Sequence, residues 1–320
     1  MANEVWHLGH EANAVAWYGT PNYITTAGYF RSPQSRCAMK VGYTDTARIV
    51  LPAIKGDGSS GWSFRGVCRM ERWGVKIEFY NGTELSATLT TPGEGWSVYA
   101  NAYAANNATP SSAIIPELAV GSPVDITLYC RTNNGSAVMD VYINDLLSQS
   151  LSVGSTGHVG LTHINFKAAS SDMYGYWSEL ALANFDLRGK EVATLPPIAN
   201  GIYTETAGGY ADIDEYTPDA AGVIWGADGQ RYSYKTAALG LANRRLVALG
   251  YAGKASASDG RHLSTFVRVD GVDYPLGTLV SGGVPQTRQT IALVNPATGA
   301  AWPVAALPDL EWGLQLDLDS

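Results

Sequence analysis

The chain has little charge and few long hydrophobic runs. Lys, Arg, Asp and Glu make up 16% of its 320 residues, against 46% hydrophobic residues. That balance lacks the Lys/Glu-rich surface that helical proteins carry. The formal net charge is −8, with no basic stripe or run, which argues against a nucleic-acid partner. No stretch approaches the ~18 apolar residues of a membrane-spanning helix, so no membrane insertion is expected. The opening MANEVWHLGHEANAVAWYGT lacks a basic start and a continuous apolar centre. It does not read as a secretory signal, and the expectation is a chain made in a cytoplasm. Cysteine is scarce. Cys37, Cys68 and Cys130 lie far apart with no CxxC, which points to reduced, mostly buried thiols.

Helical periodicity is almost missing. The best candidates are short: Thr236 to Leu241, interrupted by Gly240, and a turn at AALPDL. What the chain does have is Gly 35, Tyr 18 and Trp 9, a composition of strands joined by tight turns. RIVLPAI, WSFRGVCRM, GVKIEFYNGTELSATLT, VDITLYCRTNNGSAVMDVYINDLL, YWSELALANFDL, HLSTFVRVDGVDYPLG and RQTIALVNP alternate or run apolar between turn residues. Asn81-Gly82, Asn134-Gly135 and Asp270-Gly271 read as type I′ hairpin turns, because both central residues tolerate positive φ.

Strands at this spacing predict an all-β chain of two antiparallel β-sandwiches in tandem. The break falls at TLPPIANGIY, where Pro196-Pro197 cannot donate backbone hydrogen bonds and Asn200-Gly201 turns the chain. The expected layout is a sandwich over residues 1–193, a linker over 194–204 and a second sandwich over 205–320. The last strand carries Leu310, Trp312, Leu314, Leu316 and Leu318 at every second position. It reads as a closing strand with Trp312 in the core.

Catalytic chemistry has no clear seat. No GxSxG elbow is present, and no His stands in a recognisable triad among His7, His10, His158, His163 and His262. His7 and His10 would fall on opposite faces of a strand, which does not suit a metal pair. YADIDEY places Asp212 and Asp214 on one strand face and Glu215 on the other. The further carboxylate a sandwich glycosidase needs is missing, so the stretch reads as a strand with exposed acids, with calcium or hydrogen-bonding roles as the rival. No catalytic residue, metal ligand or cofactor is assigned. The one binding candidate is the stretch TPGEGWSVYANAYAANNATPSSAIIP, read as a long loop. Its Trp96, Tyr99 and Tyr103 among small polar residues could stack on sugar rings or dock a protein. The rival reading has them cover the sheet.

YWSELALANFDLRGKEVATLPPIANGIYTETAGGYADIDEYTPDAAGVIWGADGQRYSYK resembles a pattern in structural proteins of tailed bacteriophages. There a laminin-G/concanavalin-like sandwich ends in a Tyr-Trp or Tyr-Tyr-Ser strand. A TL-P-G crossover and an ADIDE stretch then lead into a second, jelly-roll-like module. Tyr176, Trp177, Ser178, Glu179, Arg188, Gly189, Thr194, Leu195, Asp212, Asp214 and Glu215 stand at matching places. NPATGAAWPVAALPDLEWGLQL, from Asn295 through Gly313, looks like that module's closing motif, with Pro303 and Pro308 where other residues are common. The resemblance is strong over about 176–320 and weak before.

The resemblance implies a non-enzymatic virion protein, assembled in the host cytoplasm, with other virion proteins as partners and no catalytic residues. A tail or fibre component with a host-surface or glycan adhesion role is the expectation. A capsid decoration or head fibre is the first alternative. A soluble carbohydrate-binding or glycoside-active protein is the alternative of another class. Repetition with virion symmetry implies a homo-oligomer, with a trimer as first expectation and edge strands as contacts.

Overall fold

The structure is a computed structural model. It describes residues 4–9, 22–24, 38–42, 46–55, 61–71, 75–93, 95–100, 111–115, 121–133, 136–155, 160–168, 174–213, 224, 226–238, 245–257, 261–281 and 286–318. The chain divides into two compact units, Met1–Ala193 and Thr194–Ser320. Both are all-β with antiparallel sheets, as the alternating pattern requires. The helical content of the described residues includes short 3-10 turns at Tyr210–Asp212 and Val304–Asp309.

In the first unit the strands are β1 (Val5–Gly9), β2 (Asn22–Ile24), β3 (Ala38–Gly42), β4 (Ala47–Lys55), β5 (Trp62–Met70), β6 (Val75–Asn81), β7 (Glu84–Gly93), β8 (Gly95–Ala100), β9 (Ser111–Ile115), β10 (Val124–Asn133), β11 (Ser136–Ile143), β12 (Leu146–Ser155), β13 (Leu161–Ala168) and β14 (Tyr174–Ala183). Eight of them form one sheet in the order β12-β11-β10-β5-β14-β3-β2, with β1 also paired to β14. Six form the other, β4-β13-β6-β7-β8-β9.

Alternate side chains of the two sheets meet between them. Trp62 and Phe64 of β5, Ile126 and Leu128 of β10, and Trp177 of β14 come from the larger sheet. Ile49 of β4, Ile77 and Phe79 of β6, and Ile164 and Phe166 of β13 come from the smaller. Trp62 stacks on Phe79 with centroids 4.9 Å apart, and Phe166 tilts against Trp177 at 5.4 Å. Each ring spans the gap, so the sheets are held face to face by aromatic contacts as well as by burial of apolar surface. Cys68 and Cys130 are buried free thiols; burial pushes the Cys68 thiol well above its ordinary value and that of Cys130 up to about 12. Cys37 lies outside the described residues.

The second unit holds β15 (Pro197–Thr204), β16 (Arg231–Thr236), β17 (Leu249–Ala255), β18 (Arg261–Val269), β19 (Val272–Ser281), β20 (Gln286–Ala292) and β21 (Glu311–Leu318). Five make the sheet β15-β16-β21-β18-β19, while β17 and β20 form a separate ladder. The core between them is rich in tyrosine and tryptophan: Tyr232, Tyr234, Tyr251, Trp302 and Trp312 are all buried. The Thr265 and Thr290 hydroxyls, 2.8 Å apart, join β18 to the β17–β20 ladder.

The closing strand behaves largely as its alternation predicts. Leu310 and Trp312 are buried and Leu314 packs against the same cluster, whereas Leu316 is only half-buried. Gly313 faces the other way, and a Cβ there would stand 2.0 Å from the Phe266 ring. The NPATGAAW stretch before it is a closed turn. Asn295 O accepts from the Thr298 and Gly299 amides, and Asn295 Oδ1 from the Ala297 amide. The AALPDL turn is the 3-10 segment Val304–Asp309, with Pro303 just ahead of it and Pro308 inside.

Several expectations need correction. The presumed linker over 194–204 is mostly strand: Pro197–Thr204 is β15, an edge strand paired to β16. The prolines mislead because an edge strand tolerates a missing donor. The presumed loop around Trp96 is a pair of strands, since β8 pairs with β7 and β9. YADIDEY does not begin as a strand. Tyr210–Asp212 is a 3-10 turn, and Asp212 turns its carboxylate back to accept the Gly209 amide at 2.7 Å. Asp214 and Glu215 lie outside the described residues. The helix expected from Thr236 does not start there, because Thr236 ends β16.

Two turns bear on hairpin chemistry. Asp270-Gly271 has positive φ at both residues, 50° and 81°, as a type I′ turn needs. At the β6–β7 hairpin Asn81 pairs with Glu84, so the loop is Gly82-Thr83 and not Asn81-Gly82. Only Gly82 has positive φ there, at 63°, the pattern of a type II′ turn. Asn134-Gly135 lies outside the described residues.

Candidate functional site

The first unit has two outer faces, and the chain treats them differently. On the eight-stranded sheet the residues alternating with the core are Ser63, Arg65 and Val67 of β5, Asp125 and Thr127 of β10, and Ala181 and Ala183 of β14. Residues 184–192 run back across them. The Leu187 amide donates to Ser63 Oγ at 3.2 Å, the Arg188 guanidinium lies 4.4 Å over the Tyr142 ring, and the Gly189 amide donates to Asp145 Oδ1 at 2.8 Å. Leu187 is buried with Ala181 and Ala183, and Val5, Leu8, Phe185 and Val192 pack on them. Arg65 and Asp125 pair on this face, with side chains only 3% and 0% exposed. This part of the face is closed.

The outer face of the six-stranded sheet is polar instead. Strand register arranges its side chains in rows, because directly paired residues share a face. In the central row Arg48 of β4 pairs with Asn165 of β13, Asn165 with Glu78 of β6, and Glu78 with Thr88 of β7. Beside it, His163 pairs with Tyr80. On the other side Lys167 pairs with Lys76, and Lys76 with Thr90. The sequence writes these rows plainly in LTHINFKA and VKIEFY. His163, Asn165 and Lys167 alternate with the buried Ile164, Phe166 and Ala168; Lys76, Glu78 and Tyr80 alternate with Val75, Ile77 and Phe79.

These side chains hold one another in place. Arg48 Nε donates to Asn165 Oδ1 at 2.7 Å. Glu78 takes Lys76 on Oε1 at 2.5 Å, and Lys167 at 2.8 Å and the Tyr80 hydroxyl at 2.9 Å on Oε2. The Tyr80 and His163 rings stack in parallel, 4.7 Å apart and 5° from coplanar. His163 Nδ1 lies 3.1 Å from the Thr162 hydroxyl. Burial raises the Glu78 carboxyl, but hydrogen bonds from Lys167, Lys76 and Tyr80 outweigh it and hold the group below its ordinary value. Burial, with the charges of Arg48 and Lys167, pulls the His163 imidazole down. Burial and the neighbouring Glu78 push the Tyr80 phenol up to about 12. The result is a fixed array of carboxylate, amide, guanidinium, ammonium and hydroxyl groups with a neutral imidazole near pH 7. Such an array suits hydrogen bonding to a polyhydroxylated ligand.

The residues singled out in the sequence fall near it only in part. Trp96 and Tyr99 lie on β8, in the same sheet, and backbone register sets residue 99 opposite Thr88, in line with Glu78, Asn165 and Arg48. Their side chains, and all of Tyr103, lie outside the described residues. Arg48, Glu78, Tyr80, His163 and Asn165 were not picked out from the sequence.

The second unit carries another polar cluster on the outer face of its five-stranded sheet. The Arg231 guanidinium sits 3.9 Å from the Tyr203 ring centroid and 4.4 Å from that of Phe266. Asp273 ties the group together, accepting from the Tyr203 hydroxyl at 2.6 Å, from Arg231 at 2.8 Å and from Arg268 at 2.6 Å. Its donors are turned inward on one carboxylate, so it works as a clasp between β15, β16 and the β18–β19 hairpin. Among the described residues no group of three or more His, Cys, Asp or Glu is placed to hold a metal ion, and no helix is long and apolar enough to cross a membrane.

Neither a protein-family model nor a curated protein matches the sequence significantly. Among solved structures, the globular domain of T. cruzi calreticulin is similar over 57% of this chain and 89% of that one, at 8% identity and a TM-score of 0.42. The binding domain of botulinum neurotoxin DC, solved in complex with rat synaptotagmin II, is similar over 98% of both chains, at 9% identity and a TM-score of 0.39. The carbohydrate recognition domain of Emp46p, in a metal-free form, is similar over 52% of this chain and 88% of that one, at 8% identity and a TM-score of 0.38.

Proposed function

We propose that the first unit binds glycan on the outer face of its six-stranded sheet, and that the protein is a non-enzymatic virion component of a tailed bacteriophage. The observation that carries the binding role is the row Arg48, Asn165, Glu78 and Thr88, with the Tyr80–His163 stack beside it. Asn165, Glu78 and Thr88 are themselves only 2%, 5% and 6% exposed, and they fix the part-exposed Arg48, Lys76, Lys167, Tyr80 and His163, which present donors and acceptors at set positions. A sugar's hydroxyl groups need that mixture.

The virion setting is supported by the motif similarity over Tyr176–Glu215 and Asn295–Gly313. In that setting a tail or fibre position lets the first unit meet the host surface while the second serves assembly with other virion proteins. The protein acts as a homo-oligomer, a trimer in the simplest case, and performs no turnover.

A glycan array probed with the purified protein tests the binding role. Binding that weakens at least tenfold on Asn165→Ala supports it, and silence across the array rejects it. Immunogold labelling of purified particles tests the setting. Label on tails supports it; label on heads moves the protein to a decoration or head fibre; absence from particles leaves a soluble carbohydrate-binding protein.

A further inference from the structure

We infer that the glycan bound on this face is an acidic one, a saccharide carrying a carboxylate or a sulfate; this rests on the glycan-binding reading above. The argument is local charge. The chain as a whole carries a formal −8, yet the paired rows on this face hold three cations, Arg48, Lys76 and Lys167, against one anion, Glu78.

The single carboxylate is already divided. One oxygen of Glu78 meets the Lys76 ammonium at 2.5 Å and the other meets that of Lys167 at 2.8 Å. One negative charge cannot neutralise two ammonium groups held this close, so a positive excess stays at the centre of the face. Arg48 adds to it. Its Nε is engaged by the neutral amide of Asn165 at 2.7 Å, and no ion pair joins its guanidinium to a carboxylate among the described residues. Both lysines keep about a third of their side chains exposed, 34% each, so an arriving oxyanion can reach them. Next door, burial first and then the charges of Arg48 and Lys167 disfavour protonation of His163, while Glu78 acts the other way.

A neutral sugar would leave this excess uncompensated. A carboxylate or sulfate on the ring would lie between Arg48 and the lysine pair and take charge-assisted hydrogen bonds, which are about twice as strong as neutral ones. The Tyr80–His163 stack walls the row on one side, so the acid group is held against the cations and not along the strand direction.

The test is affinity of the full chain for three matched sets of oligosaccharides: neutral, uronate- or sialate-bearing, and sulfated. Each is measured at about 0.05 M and about 0.5 M NaCl, where screening differs severalfold. The expected result is a preference of about tenfold for an acidic set over the neutral one at low salt, shrinking at high salt. Whichever acidic set leads identifies the oxyanion. Arg48→Gln and Lys167→Gln are expected to bring the acidic-to-neutral ratio toward one, and Arg48→Lys to retain it, with circular dichroism confirming the fold of each. Equal affinity for neutral and acidic sets at both salts overturns the inference while glycan binding stands. Absence of binding by all three sets removes glycan binding itself.

Discussion

The two outer faces of the first unit start from the same strand alternation and end with opposite fates. On the eight-stranded sheet the chain lays residues 184–192 over Ser63, Ala181 and Ala183, and an Arg65–Asp125 ion pair is buried on the same face. On the six-stranded sheet the corresponding positions carry Arg48, His163, Asn165, Glu78 and Tyr80, cross-linked to each other. Polarity alone does not separate them, since both hold charged groups. What separates them is the partner. A closed face spends its polar groups within the fold, so damage there appears as lost stability. On the six-stranded sheet Asn165 and Glu78 are buried too, but they hold the part-exposed Arg48, Lys76, Lys167, Tyr80 and His163, so damage there reaches recognition as well as stability.

The largest expected effect belongs to the closed face. Asp125→Ala leaves the Arg65 guanidinium buried without its counter-ion and should cost about 3–5 kcal/mol of stability, read from the urea midpoint. Replacing the pair together, Arg65→Met with Asp125→Leu, should recover most of that, because the cost lies in stranding one charge. If Asp125→Ala unfolds no more easily than the parent chain, the face is not closed as described.

Asn165→Ala on the other sheet should cost less, about 1–2 kcal/mol for the lost Arg48 bond, measured in the same unfolding series. Its main effect should fall on glycan affinity. A variant that loses stability as heavily as Asp125→Ala, with affinity intact, would erase the contrast between the faces.

The smallest effect is in pH. The His163 imidazole is held below its ordinary value of 6.5 by burial and by Arg48 and Lys167, with Glu78 acting the other way. As pH falls through 6.5 the unfolded chain therefore binds that proton before the folded chain does, and stability declines. The Glu78 carboxyl, held below 4.5, keeps its contribution until lower pH and loses it there. His163→Gln should remove the first decline and leave the second. Unchanged pH dependence in that variant would place the titration elsewhere.

Much of the architecture was legible because burial writes a period of two into the chain. WSFRGVCRM became β5, and Leu310 and Trp312 reached the core of the second unit. Where legibility failed, a local rule competed with a pairing partner distant in sequence. Pro196-Pro197 looked like a break, yet Pro197 begins an edge strand and pairs with Thr236, at the far end of β16. GWSVYA looked like part of a long loop because small polar residues surround its aromatics, yet β7 and β9 pair with it. Asp212 looked like a strand acid until its carboxylate met the Gly209 amide.

The site was legible in one sense and hidden in another. THINFK alternates as cleanly as any strand in the chain, and its polar residues could have been assigned to an outer face. That Asn165 lies between Arg48 and Glu78 depends on β13 pairing with β4 and β6, strands 117 and 87 residues earlier in its register. A single sequence does not reveal which strands are neighbours, so a row assembled across them stays invisible until the sheet order is known.

Hydrogen exchange with and without a bound oligosaccharide tests the central claim most directly. The account predicts slowed exchange over Leu161–Ala168 and Val75–Asn81, with the residues at 184–192 unchanged. Protection confined to the closed face or to the second unit, with β6 and β13 unaffected, would contradict it.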